Sequence, residues 1–327
     1  MTPLHFERLY EAEWRELETQ LDRAFGRKPG KGSTSAPVSG ERVAALYRRA
    51  CEQLALARAR AYPAYLLDRL DRLTSDAHQL IYQRRELGLS GLKRLVAVEF
   101  PRAVRAHARY VFVSAALLVL PTLVVGLLVY YKPELILSVV SAETAASFET
   151  MYSESAESIG RRRTADNDWI MFGYYVNHNI GIAFQCFAGG LFLGVGSMFF
   201  LIYNGAVFGA VGGYLTERGL SATFYSFVVT HAAFELTAIV LAGAAGLRLG
   251  HALLAPGRRR RRQSLVHAAK ECTVIVYGLT AMLLVAAAVE AFWSSAVWLP
   301  SAVKYGVAAV CWAAVLGYLA FQGRHAS

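Results

Sequence analysis

His231 and Glu235 stand four residues apart in the segment HAAFE, inside a tract that is otherwise almost free of charge. On a helix that spacing puts an imidazole and a carboxylate on one face, about one turn apart, where they can share a single site. Such a pair can hold a proton or an ion, line a polar path, or simply fix helix register through a polar contact. Two His and a carboxylate can also bind a divalent cation. However, HAAFE lacks the HExxH order that sets two ligands and a general base of a metalloprotease on one helix.

Other polar groups in apolar surroundings are few. Asn177, His178 and Asn179 open one tract, Gln185 lies deeper in it, Asn204 interrupts the next, and Glu290 lies near the end of a later one. An ionisable group at the centre of a membrane helix costs about 2.5–3.5 kcal/mol on insertion scales, so each needs a partner or water. Asn204 or His178 is the expected cross-helix partner of the His231/Glu235 pair. No serine elbow, phosphate-binding loop or dinucleotide fingerprint accompanies these residues, so the sequence assigns no catalytic residue, cofactor or metal. An enzyme is not expected.

The elements that must position this cluster are membrane spans. The chain has 327 residues, 55% of them hydrophobic, and its charge is concentrated in the first third and in one later run. A transmembrane helix needs about 20 apolar residues. Spans are predicted at about 110–131, 170–190, 192–215, 222–247, 272–293 and 297–321, with an extracytoplasmic loop at 132–168. The expected fold class is therefore all-α: a polytopic bundle of about six transmembrane helices behind an N-terminal cytoplasmic helical domain. An alternative makes 177–203 one long span and 204–215 a re-entrant half-helix, an arrangement allowed only where that backbone is buried in protein.

Residues 1–109 read as the cytoplasmic part. LHFERLYEAEWRELETQLDRAF at 4–25 repeats apolar residues at helical spacing, a second helix runs from about 41 to 62, and a third from about 64 to 87. Three apolar stripes of this kind need one another, which predicts a small bundle. Gly, Ser and Pro at 26–40 predict a linker. Residues 91–109, basic and apolar in alternation with a kink at Pro101, predict an interfacial helix feeding the first span. No signal peptide is expected at the N-terminus.

A net charge of +10 raises the question of nucleic acid. No recognition motif accompanies it, and the basic residues flank apolar tracts where they meet anionic headgroups, so membrane lipids and not nucleic acid are the expected partner. With six crossings, Lys and Arg gather on the side of the N-terminus, and the positive-inside rule makes that side cytoplasmic. The run Arg258, Arg259, Arg260, Arg261 and Arg262 weighs most, as a topology anchor or an anionic-lipid contact. Cys51, Cys186, Cys272 and Cys311 show no paired spacing and read as small packing residues.

Small residues recur at spacings of three and four in FAGGLFLGVG and GAVFGAVGG, with Gly189, Gly190, Gly194, Gly205 and Gly209 the positions at which helix backbones can approach closely. A homodimer interface is the other use of such a pattern.

NHNIGIAFQCFAGGLFLGVGSMFFLIYNGAVFGAV at 177–211 and HAAFELTAIVLAGAAGLRLGHALLAPG at 231–257 resemble the stage II sporulation protein M family. Asn177, Asn179, Gly190, Gly194, Asn204, Gly205, His231, Glu235, Ala244, Gly246 and Pro256 carry the likeness, and Ala232 departs from the Gly common after the His. FERLYEAEWRELETQL, AHQLIYQ and FPRAVRAHARY resemble longer, non-sporulation members that add a cytoplasmic helical region. The resemblance implies a non-enzymatic scaffold of the bacterial cytoplasmic (inner) membrane, of the kind that takes part in peptidoglycan remodelling with other membrane proteins of an envelope complex. For longer members it also implies a possible link to a MoxR-type ATPase system through the cytoplasmic helices. A channel or transporter with its path at His231 and Glu235 is the alternative, and a metal-dependent intramembrane protease the third.

Overall fold

A computed structural model describes residues 2–26, 39–82, 89–153, 165–296 and 298–324. Among the described residues the chain is helical throughout, with no strand. It divides into two compact units, Met1–Leu92 and Lys93–Ser327. Residues 93–109, expected with the cytoplasmic part, thus belong to the second unit.

The first unit is built on three helices, α1 (Pro3–Ala24), α2 (Gly40–Ala59) and α3 (Ala64–Tyr82). Thr2 caps α1 by accepting a hydrogen bond from the amide of His5, and Pro3 occupies the first turn, where its missing N–H costs nothing. Phe6, Trp14, Leu17 and Leu21 then share one buried stripe, packed against Leu46, Leu66 and Leu70 of the other two helices. The Trp14 indole donates to Gln53 Oε1 at 2.6 Å, so the one polar atom of the largest core side chain is satisfied. Arg69 on α3 reaches Glu11 and Glu18 on α1 at 2.8 and 2.9 Å and lies over the Trp14 ring. Most of the linker expected at 26–40 lies outside the described residues.

The second unit begins at the end of α4 (Leu89–Arg94), followed by a π turn at Leu95–Glu99 and α5 (Phe100–Ala106). The interruption falls just before Pro101, as a ring without an N–H requires. Six long helices follow: α6 (Ala108–Tyr131), α8 (Ala165–Ala188), α9 (Val195–Glu217), α11 (Ala232–Leu254), α12 (Arg261–Ala288, continued as a π turn Val289–Ser294) and α13 (Ser301–Phe321). Two short ones, α7 (Ala142–Tyr152) and α10 (Ser221–Val228), lie between them.

Five of these, all but α8 among the six, are long and apolar enough to cross a membrane. The run Asn177, His178, Asn179 together with Gln185 makes α8 more polar than the rest. The helix predicted at 170–190 exists, but a count of six rests on it. The Gly189–Leu191 turn and Gly194, at φ +87°, reverse the chain between α8 and α9, in place of a single span over 177–203. The span expected at 222–247 is two helices, with a break at Val229–His231, and its second part runs on to Leu254.

The helix α11 is the centre of this unit: 61% of its apolar window is buried, against 11% for α6. Small residues make that possible. A Cβ on Gly190 would meet the Gly246 backbone, and one on Gly250 would meet Gly194, so the α8–α9 turn sits directly against α11. Arg102 and Arg105 donate to the carbonyls of Gly323 and Leu319, placing two guanidinium groups on the carbonyl end of α13. At the same end Arg248 pairs with Glu271 at 2.7 Å and Tyr110 bonds His251. The opposite end holds Tyr214, Arg218 and Glu149, with Arg218 Nε 3.2 Å from the carboxylate.

Candidate functional site

The break before α11 places His231 at the head of that helix and Glu235 one turn in, with Nε2 and Oε2 3.9 Å apart. The remaining members of the cluster come from the π turn that ends α12. Glu290 and Ser294, again four apart, lie in Val289–Ser294. His231 Nδ1 and Ser294 Oγ are hydrogen-bonded at 2.9 Å, which orients the ring and leaves Nε2 toward the carboxylates. The ligand atoms of His231, Glu235 and Glu290 lie within 4.8 Å of one another. Lys304, buried at the start of α13, donates its ammonium to the Ser294 carbonyl at 2.7 Å and so ties that helix to the same turn. A π turn, one residue wider than an α turn, is a common means of re-aiming side chains at functional sites.

These three residues face a cavity of about 830 Å³ within the second unit. His178, Asn179 and Asn204 line it as well, between mainly apolar walls from α6, α9, α11 and α13. Five of the six polar residues expected to act together thus share one cavity; Asn177 is exposed elsewhere on α8. Neither expected cross-helix partner bonds the pair. Asn204 donates back to the Phe200 carbonyl of its own helix, at 2.7 Å, and His178 stacks on Tyr174. Ser294 fills that role, and Glu290 stands within 4.8 Å of both members of the pair. The missed signal was the second i, i+4 pair of polar residues, which repeats the spacing of His231 and Glu235 near the end of a span. Lys304 is also part of this neighbourhood.

The small residues divide by role. A Cβ on Gly205 would stand 2.3 Å from the Leu118 carbonyl oxygen and one on Gly209 2.2 Å from that of Thr122, so both serve the α6–α9 seam inside one chain. Gly189 meets Gly196 across the turn, Gly190 meets α11, and Gly194 supplies a left-handed backbone. Arg258, Arg259, Arg260, Arg261 and Arg262 are exposed where α11 gives way to α12.

The model of the stage II sporulation protein M family matches residues 110–295, more than half of the chain and all of the cluster. The chain belongs to that family. In this stage II sporulation protein M family member a second match, to a domain of unknown function, covers residues 5–83 and coincides with the three-helix unit. No curated protein and no solved structure matches the chain.

Proposed function

We propose that this family member is a non-enzymatic, multi-pass protein of the bacterial cytoplasmic membrane whose transmembrane unit holds or passes a ligand through an internal cavity. The observation that carries this reading is that His231, Glu235 and Glu290 face a cavity of about 830 Å³ instead of closing a dry helix contact. His231 and Glu290 are themselves only 4% and 9% exposed, so the cluster is approached from the cavity, and ionisable groups at that depth are costly unless a partner or an entering ligand meets them. The walls suit an apolar or amphiphilic body, and the cluster suits a cationic or hydrogen-bonding head.

Thiol accessibility tests the reading. Cys51, Cys186, Cys272 and Cys311 are replaced by alanine, and single cysteines are introduced as N204C, on the cavity wall, or L201C, in the packed core away from it. In whole cells a small charged thiosulfonate modifies N204C at least tenfold faster than L201C. Equal, slow rates at both positions would remove the cavity reading and leave a scaffold.

Scaffolding in an envelope assembly has its own support in the first unit. That unit has a separate core and a separate family match at 5–83, which suits a docking module for other membrane proteins or a MoxR-type ATPase system. Copurification from solubilised membranes, with and without residues 1–88, tests it: a partner lost on truncation supports docking.

A further inference from the structure

We propose that His231, Glu235 and Glu290 bind a divalent cation of borderline character, Zn²⁺, at the polar end of the cavity. This deepens the cavity reading by naming the ligand's class, and it rests on that reading in so far as an ion must reach the cluster.

Three observations support the assignment. The donor set comes first: one imidazole nitrogen and two carboxylates lie within 4.8 Å of one another. Ligand atoms at about 2.1 Å from a common ion are at most about 4.2 Å apart, so small side-chain rotations complete the site. An imidazole among the donors favours Zn²⁺ over Ca²⁺, Mg²⁺ or Mn²⁺, which prefer oxygen ligands.

The second is orientation. Ser294 Oγ engages His231 Nδ1 at 2.9 Å and presents Nε2 to the carboxylates. Metal-bound imidazoles are held in this way, by a hydrogen bond at the ring nitrogen that does not bind the ion.

The third is independent of the cluster. Asn179, from α8, is 2% exposed and lines the same cavity, and its Nδ2 has no hydrogen-bond partner. A buried amide N–H left without an acceptor is costly, and an oxygen atom entering the cavity with the ion, such as a water in its coordination shell, would supply one.

The full-length chain, purified in detergent and stripped with chelator, is titrated with ZnCl₂ alone, and bound metal is counted by mass spectrometry after desalting. One ion per chain is expected, with affinity lowered at least tenfold in E290Q and in H231Q. Because either variant can misfold, S294A is the second arm: it keeps all three ligands and weakens binding by about 10–100-fold through loss of ring orientation. Absence of saturable binding to the wild-type chain would overturn the proposal, as would full binding in E290Q, H231Q and S294A alike, which would move the ion to another cluster such as His267 and Glu271. The two readings fail separately. A chain that binds no metal but labels at N204C keeps its cavity and loses its cation, whereas one that does neither loses both.

Discussion

A methyl group on Gly209 would stand 2.2 Å from the carbonyl oxygen of Thr122 on the neighbouring helix. Gly205 and Gly213, four residues to either side, stand in the same relation to Leu118 and Gly126, so α6 and α9 touch backbone to backbone along three turns. In lipid, where burial of apolar surface gives helices no reason to prefer one another over the acyl chains, such close packing is a main source of association. Gly209→Ala should therefore lower stability by about 1–3 kcal/mol, the usual cost of overpacking. Unfolding in detergent checks this against Gly181→Ala on α8, where an added Cβ meets nothing within 4 Å and no loss is expected.

His231 is 4% exposed and hydrogen-bonded to Ser294, so its removal strands a buried hydroxyl beside two carboxylates. In chelator-treated protein, His231→Ala should lower the melting temperature by an amount equivalent to about 1–3 kcal/mol, the cost of an unsatisfied buried group. Unchanged melting, with metal or transport function lost, would mean that the histidine serves the ligand alone.

The first unit should be acid-sensitive in one direction. The hydrogen bond from Arg69, the largest influence, holds the Glu11 carboxyl below its ordinary value of 4.5, and Arg42 does the same for Glu16. Groups whose folded values are depressed contribute stability that is fully present above about pH 4.5 and lost as the pH falls through the folded values. Amide exchange over Pro3–Ala24 in the full chain, corrected for intrinsic rates, should accelerate as the pH drops from about 5 to about 3. Arg69→Met should flatten that dependence, since it removes the partner of Glu11.

Helix existence was legible because apolar tracts and stripes report it directly, and the three-helix unit and the long helices appear where hydropathy puts them. Where a helix breaks is a different matter. The interruption at Val229–His231 lies inside a continuously apolar tract with neither Gly nor Pro, so its cause is tertiary: Thr230 and His231 bond to Lys304 and Ser294 of distant segments. Gly189–Gly194 did carry a readable turn signal. The His231/Glu235 pair follows from i, i+4 spacing alone, but joining it to Glu290 required knowing that the end of α12 returns beside the head of α11, which no local pattern contains.

The exposed run Arg258–Arg262 lies at the same end of the second unit as Arg102, Arg105 and Arg248, judged by the contacts of α5 and α13 and by the Tyr110–His251 bond. With lipid as the solvent for the long helices, that end is expected to face the cytoplasm, since arginine-rich loops of this length are retained there. A fluorescent reporter placed after Gly257 should therefore mature and an alkaline phosphatase at the same point should stay inactive, with the opposite result for insertions after Lys132. Replacing all five arginines by glutamine should produce a mixture of the two signals at Gly257, because the remaining Lys and Arg on that side still bias insertion. An active phosphatase after Gly257 in the unaltered chain would reverse the orientation and put the His231 cluster, which sits at the head of α11, toward the cytoplasm.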